Sequence, residues 1–229
     1  MMFFYSNYII NISKMKQIKF FLLIFSIFLG FYVQADDAEE KENFCEVTKV
    51  TMNDYEPESF ITSNNLLSKA GQEPIYCGDK IIIYGKVVDQ SCLPVSDAKI
   101  YIWQANCAGK YPYKPLRNIA QKEFIDIDND STFTGNGTAT TNNKGEFIFV
   151  TTYPPAIHGL FPHINIRVEH RTLGSLQSRL NLKANKSNEF DAQAGVESAM
   201  NYTDENNLSS YNFEIVMPGY GAKNFVVDK

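Results

Sequence analysis

The sequence lacks a basic cluster, a membrane-length apolar segment and the cysteine spacing of a zinc site. Its 229 residues include 21 Lys and Arg against 26 Asp and Glu, which gives a formal net charge of −5. An acidic chain without a local run of basic residues is a poor nucleic-acid binder, so we expect no nucleic-acid partner. Segments with helical periodicity are few and no internal repeat is present, so strand and turn patterns dominate.

The longest apolar run, residues 20–33, lies close to the start of the chain. Its 14 residues fall short of the roughly 20 that a membrane-spanning helix needs. A short basic stretch, Met15–Lys19, precedes the run and small residues end it, which predicts a secretory signal peptide cleaved after Ala35. Residues 1–14 precede a better-placed Met15 and could be a misassigned start. An uncleaved membrane anchor is the alternative.

The predicted mature chain, residues 36–229, is long enough for one domain with a real core. Loss of the three leader lysines lowers its formal charge from −5 to −8. Export to the periplasm or the medium would place its four cysteines, Cys45, Cys77, Cys92 and Cys107, in an oxidising environment. Two disulfides are favoured over free thiols, and the sequence leaves all three possible pairings open.

Six segments with strand patterns follow residue 76, separated by turns rich in Gly, Asn and Pro. They are Lys80–Val88, Ala98–Ala105, Glu146–Thr152, His163–Glu169, Leu176–Leu182 and Tyr211–Met217. This succession predicts an all-β fold, an antiparallel β-sandwich with long loops and little helix.

The predicted domain organisation divides the mature chain at residue 76. Residues 36–75 are expected to form a leader and a short irregular or helical segment, with a possible helix over residues 65–70 closed by Gly71. Residues 76–229 are expected to form the sandwich, with residues 189–210 as a long polar surface loop.

The segment Phe161–Val168 alternates polar and apolar residues with period two, which predicts a half-buried strand. Its apolar residues are expected to face the core, whereas His163, Asn165 and Arg167 share the opposite face. A His-x-His pair on such a strand would aim two imidazoles at one metal ion. Here Asn165 takes the place of the second histidine, so the metal motif is incomplete.

Seven motifs form a recognisable series along the chain. They are GKVVD at 85–89, LPV at 93–95, AKIYIWQAN at 98–106, GKY at 109–111, DSTFTGNG at 130–137, GEFIF at 145–149 and PHI at 162–164. The series covers roughly residues 76–182 and resembles the intradiol ring-cleavage dioxygenases, most closely the protocatechuate dioxygenase branch. The segment IWQAN followed by Gly-x-Tyr is far more specific than any single match. The resemblance implies a β-sandwich, in agreement with the strand pattern.

The resemblance also implies an iron site. In that family two tyrosines and two histidines hold Fe(III), which activates a bound catechol for attack by O2; phenolate oxygens are hard donors that suit this ion. Tyr111 matches the first tyrosine and His163 the first histidine, and both are therefore candidate catalytic residues and metal ligands. Ile157 stands at the second tyrosine position and Asn165 at the second histidine position.

Substitute donors are available near the missing positions. His158 follows Ile157 in a proline-containing loop and is the first candidate for a replacement ligand, with Tyr153 as a second. Asn165 can offer only a neutral carbonyl oxygen, a weak donor for a transition metal. Arg179 stands where the family has a glutamine and could pair with a carboxylate on the substrate. The alternative interpretation of His158 is an ordinary loop histidine.

Two functional hypotheses follow from this mixed ligand set. The first is an exported dioxygenase of aromatic compound catabolism, which opens a small catechol-type diol with O2 and iron. The second is a non-catalytic binding module or partner subunit that has lost the iron site. In either case no stable membrane span remains after signal cleavage, and a homo- or hetero-oligomer is possible.

Overall fold

The computed structural model describes residues 44–52, 55–119, 121–127, 130–157, 159–182, 195–197, 201–203 and 208–219. The predicted signal peptide therefore lies outside the described residues. Within these ranges no helix is long and apolar enough to cross a membrane. A single turn of 3₁₀ helix, Lys122–Phe124, is the helical content of this part of the chain.

The described residues form nine strands. They are β1 (Lys80–Val88), β2 (Lys99–Trp103), β3 (Asn136–Thr140), β4 (Glu146–Thr152), β5 (His163–His170), β6 (Gly174–Asn181), β7 (Val196–Glu197), β8 (Asn201–Thr203) and β9 (Ser209–Val216). All six predicted strands are confirmed, with end shifts of at most two residues. Strands β3, β7 and β8 were not predicted, and β7 and β8 lie inside the expected surface loop of residues 189–210.

The strands form two sheets, which confirms the all-β sandwich. One sheet has the order β4-β1-β9-β8 and the other the order β3-β2-β5-β6-β7. Most neighbouring strands are antiparallel, but β9 pairs with β1 in parallel, as β7 does with β6. Parallel neighbours need a long crossover connection. The chain from β1 to β9 and the residues between β6 and β7 provide these connections, so the sheets are mixed where the sequence predicted antiparallel order.

The inner core lies between the two sheets, and it consists of the buried aliphatic and phenylalanine side chains that alternate along the long strands. Ile100 and Ile102 of β2 face Phe149 of β4 across it, and all three are fully buried. Gly85 of β1 leaves room for the ring of its cross-strand partner Phe147 on β4, because a Cβ atom there would lie 2.0 Å from that ring. The sandwich thus follows from strand periodicity.

The segment before β1 packs against the sandwich without regular structure. Residues 65–70 form no helix, so that expectation was wrong. Leu66 is fully buried in the inner core, and its N–H donates to the carbonyl of Val150 at 2.9 Å, alongside β4. Burial of one leucine in the core and a backbone bond to a strand edge override the weak helical propensity of this stretch. The domain boundary at residue 76 stays a prediction.

Two disulfides connect loops to the sandwich. Cys45 pairs with Cys92 and Cys77 with Cys107, at Cα–Cα distances of 5.3 and 5.8 Å, so all four cysteines are oxidised. The structure selects this pairing from the three that the sequence allowed. The first bridge attaches residues near the start of the described chain to the turn after β1. The second attaches the approach to β1 to the loop after β2, which leads to Tyr111.

Candidate active site

The candidate site lies on the face of the five-stranded sheet that points away from the inner core. Three side chains sit side by side there, because Asn165 of β5 pairs with Trp103 of β2 on one side and with Arg179 of β6 on the other. Asn165 and Trp103 are buried even though they lie on the outer face. Loops must therefore cover this face, and these loops carry the other candidate residues.

The covering loops bring an aromatic cluster onto the sheet, which we call the outer cluster. Its buried members are Tyr55, Trp103, Ala105, Tyr111 and Tyr113, and Phe60, Ile119, Phe124, Ile125 and Ile157 pack against them partly buried. Two of the positions implied by the resemblance, Tyr111 and Ile157, thus belong to one cluster. The structure brings these two loops together.

The backbone on both sides of Tyr111 is held by hydrogen bonds. The Asn106 side-chain oxygen accepts from the N–H groups of Ala108 and Lys110, each at 3.0 Å, which fixes the preceding turn. The Tyr111 N–H donates to the carbonyl of Phe124 at 2.7 Å, and its carbonyl accepts from Asp126 at 3.1 Å. Tyr111 is therefore held like a residue in a short strand, with 2% of its surface exposed.

The ring of Tyr111 is confined by two other tyrosines. Tyr55 stacks on it with ring centroids 4.4 Å apart and an angle of 6° between the planes. Tyr113 meets it edge-on at 5.8 Å. Sequence reasoning did not identify Tyr55 or Tyr113. A Tyr-x-Tyr spacing on one face was a signal for Tyr113, whereas nothing local marks Tyr55.

Tyr113 is a buried phenol in this cluster. Its hydroxyl has no hydrogen-bond partner among the described residues. Burial raises its pKa well above the usual 10, and the nearby Tyr111 and Glu56 raise it further. Tyr113 is thus a neutral phenol at any physiological pH.

His163 begins β5, and a hydrogen bond from its Nδ1 orients the ring. Its Nδ1 lies 2.7 Å from the carbonyl oxygen of Phe161, and 6% of the residue is exposed. A carbonyl oxygen only accepts, so Nδ1 carries a proton and donates it to Phe161. Histidines that bind metals are commonly oriented in this way, with the other ring nitrogen bound to a backbone carbonyl.

The two remaining ligand positions hold weaker or no donors. Asn165 is 2% exposed and offers an amide oxygen. Ile157 begins a turn in which the Leu160 N–H donates to its carbonyl at 2.9 Å, and its side chain is aliphatic. His158 lies outside the described residues. Arg179 donates from Nη2 to the carbonyl of Met52 at 2.6 Å.

Tyr153 follows β4 and packs against the inner core, away from the outer cluster. Its hydroxyl donates to the carbonyl of Leu182 at 3.3 Å, and its ring packs against the inner core beside Tyr211. Burial, with a smaller contribution from Tyr211, raises its pKa to about 12. Both features oppose a phenolate, so the structure does not support Tyr153 as the replacement for the second tyrosine.

The donor set of the described residues does not make up the ferric site that the resemblance implies. The phenol of Tyr111 and the imidazole of His163 suit it, the amide of Asn165 is a weak donor, and Ile157 supplies none. In this part of the chain no three His, Cys, Asp or Glu side chains are grouped as a metal site. Two of the four donor types that the resemblance implies are present at their expected sequence positions.

Comparisons with known proteins establish the family. A family model described as "Dioxygenase" matches residues 50–160. A Rickettsia conorii protein named "Putative dioxygenase" is 41% identical over 197 residues, which are 86% of this chain and 94% of that protein. The fold is similar to that of an intradiol ring-cleavage dioxygenase from Tetranychus urticae, with a TM-score of 0.57 and 17% identity over 79% of this chain and 98% of that one. The chain belongs to the intradiol ring-cleavage dioxygenase family.

Family membership confirms the resemblance inferred from the motifs. A protocatechuate 3,4-dioxygenase β chain of Burkholderia cepacia is 33% identical over 84 residues, 37% of this chain and 32% of that one. The matched family model contains Tyr111 and Ile157 but ends at residue 160. His163 and Asn165 therefore lie just beyond the matched range.

Proposed function

We propose that this family member is an exported oxidoreductase that opens a small catechol-type aromatic diol with O2 and iron. Membership of the family supports the reaction class. The observation that carries the proposal is the orientation of His163, whose Nδ1 donates to the carbonyl of Phe161, so that Nε2 would be the ligand nitrogen.

The iron would be held by Tyr111 and His163, with His158 as the third donor and Asn165 as a weak fourth. Iron binding thus depends on a donor beyond those that the described residues supply. The chain's own contribution to substrate binding is the outer cluster, since buried aromatic rings form an apolar wall that excludes water from a small aromatic ligand. Arg179 would pair with a carboxylate on the substrate in exchange for its bond to Met52.

The test is metal content together with ring cleavage. The purified protein, reconstituted with iron, is expected to bind one iron and to show the visible charge-transfer band of a phenolate on Fe(III). It should consume O2 with catechol, protocatechuate or hydroxyquinol. Tyr111→Phe should abolish the band, His163→Ala and His158→Ala should lower iron content, and His170→Gln is the matched histidine control. A colourless, iron-free protein that consumes no O2 would overturn the proposal.

A second experiment tests the missing donors directly. The double variant Asn165→His and Ile157→Tyr restores the family's donor types at the two weak positions. If the geometry of the sheet and the loop is preserved, iron affinity should rise relative to the wild type. A wild-type protein without iron and a double variant with iron would point to the non-catalytic module. No gain in the double variant would mean that the pocket itself has changed.

Export is a separate part of the proposal. The two disulfides support it, because such bridges persist in oxidising compartments. Expression of the full chain in a bacterial host, followed by fractionation and mass analysis of the mature N-terminus, tests it. Cleavage after Ala35 and recovery outside the cytoplasm are the expected results. An uncleaved protein in the membrane fraction would support the anchor instead.

A further inference from the structure

Residues 55–61, which we call the strap, cross the outer face of the five-stranded sheet before the sandwich begins. Backbone bonds join the strap to the loop after Tyr111: the Glu58 N–H donates to Lys114 at 2.9 Å and the Leu116 N–H donates to Glu56 at 2.7 Å. The Ile61 N–H donates to the buried side chain of Asn136 at 2.9 Å. The strap is thus fixed at several points along its length.

Side chains of the strap hold it to the sheet as well. Glu56 forms a hydrogen-bonded ion pair with Arg167 of β5, in which both side chains are mostly buried. Phe60 meets Tyr101 and Trp103 of β2 edge-on, at 5.0 and 5.9 Å between ring centroids. These contacts place the start of the strap, Tyr55, over the loop that carries Tyr111.

Tyr55 adopts a strained backbone. Its φ is +59°, in the left-handed region that aromatic residues rarely occupy. Such strain persists where surrounding contacts over-determine it, and it is concentrated at functional sites. With this backbone conformation the Tyr55 ring lies flat against Tyr111, and the Tyr55 hydroxyl donates to Gln121 at 3.2 Å.

We infer that Tyr55 is a positioning residue for the Tyr111 phenol. The parallel stack closes one face of the Tyr111 ring and Tyr113 lies against it edge-on, so the ring has one side-chain conformation and its oxygen one direction. The inference rests on the proposed function in so far as Tyr111 is a site residue. It extends the site to the segment before the sandwich.

The strap offers a matched control for ordinary packing. Phe60 is an aromatic residue of the same strap, and its ring contacts are with Tyr101 and Trp103. Loss of its ring should loosen the strap without removing the stack on Tyr111. Tyr55→Phe keeps the stack and removes only the hydroxyl. Tyr55→Leu removes the stack, and Tyr55→Met is the substitute if the leucine variant does not fold.

The experiment uses the full chain with labelled tyrosine and measures the χ1 rotamers of Tyr111 by NMR coupling constants. The Tyr111 signals are assigned by their loss in Tyr111→Phe. We expect one rotamer in the wild type, Tyr55→Phe and Phe60→Leu, and averaging over several rotamers in Tyr55→Leu. A single rotamer in Tyr55→Leu, or equal averaging in Phe60→Leu, would overturn the inference. Averaging in Tyr55→Phe would show that the hydrogen bond to Gln121 orders Tyr111 and the ring stack does not, and it would also overturn the inference.

A functional readout accompanies this structural one. In iron-loaded protein Tyr55→Leu should shift and broaden the phenolate band and lower kcat by up to about a hundredfold with little change in KM, since misplacement of a reacting group acts on the chemical step. Tyr55→Phe should keep the phenolate band and the kcat of the wild type. The NMR result does not need iron. An iron-free wild type with an ordered Tyr111 would refute the proposed function alone, whereas an active enzyme with a disordered Tyr111 would refute this inference alone.

Discussion

The inner core and the outer cluster lie on opposite faces of the same five-stranded sheet, and they are built in different ways. The inner core is aliphatic and phenylalanine-rich, and regular strands from both sheets supply most of it. The outer cluster is mainly tyrosine, tryptophan and loop residues, and it includes the Tyr113 hydroxyl, which has no hydrogen-bond partner among the described residues. One face therefore stabilises the fold, and the other holds polar groups in a buried aromatic setting.

This difference explains why the candidate site occupies the outer face. A sandwich core closes to native packing density and leaves no room for a ligand. Loops that cover a rigid sheet can instead bring Tyr111, Tyr55 and Ile157 together above Asn165 without disturbing strand pairing. We expect mutations in the two regions to separate stability from site geometry, and the following predictions test that separation in order of decreasing effect.

The largest effect is expected inside the core. Ile166 of β5 is fully buried there, on the strand that also carries His163 and Asn165. Ile166→Ala should lower the free energy of unfolding by about 2–5 kcal/mol, through lost burial and the cavity left behind. Urea denaturation measures it, with the exposed Leu93→Ala as the control. A loss below about 1 kcal/mol would contradict the assignment of this residue to a tightly packed core.

The second prediction compares the two disulfides. They close segments of 47 and 30 residues. The chain-entropy model therefore predicts that their contributions to the free energy of unfolding differ by no more than about 0.5 kcal/mol. Removal of either bridge should lower that free energy by typically about 2–4 kcal/mol. Double Cys→Ser variants and denaturant unfolding test this. The two should differ at the site, because Cys107 lies four residues before Tyr111. Only Cys77→Ser with Cys107→Ser should broaden the Tyr111 signals.

Strand periodicity predicted most of the inner face. The bounds of β1 and β4 follow directly from alternating apolar residues bounded by turns. Strand β3, with the sequence NGTAT, was missed because Asn, Gly and Ala are depleted in strands and only its two threonines favour one. It is a strand because it pairs with β2, and because Gly137 accepts the close approach of Ser63 and Leu66. Both causes are tertiary contacts, which a local sequence pattern cannot predict.

The outer face could be predicted only where a motif carried information. Tyr111 and His163 were chosen as candidates through their sequence context, and both are buried in the structure. Tyr55 lies 56 positions before Tyr111 in a segment without regular structure, and its left-handed backbone has no sequence signal. The ring stack depends on contacts of the strap with β2, β3 and β5, so it becomes visible only once the sheet is assembled.

The third prediction concerns the attachment of the strap. Arg167 forms ion pairs with Glu56 and, through Nε at 3.0 Å, with Glu169, and its guanidinium lies 4.6 Å from the Tyr101 ring centroid. Arg167→Ala should cost about 1.5–3 kcal/mol, the range for hydrogen bonds to charged groups. Lys114→Ala, which breaks the exposed pair with Glu58, should cost about 0–1 kcal/mol. Equal losses in thermal or denaturant unfolding would mean that the strap is not held by Arg167.

The smallest expected effect is a loss of stability at alkaline pH, and it arises from Tyr153 beside the inner core. Burial raises the pKa of Tyr153 from 10.0 to about 12, so between these values the unfolded chain releases this proton while the folded chain keeps it. The unfolded state then binds fewer protons, and stability must fall as pH rises through this window. Half-exposed groups are screened by solvent, so the slope should be shallow. The free energy of unfolding, measured from pH 9 to about 12 in the wild type and in Tyr153→Phe, isolates the contribution. The variant should lose less stability over the window, and identical slopes would show that another tyrosine, such as the more deeply buried Tyr113, controls the alkaline limit.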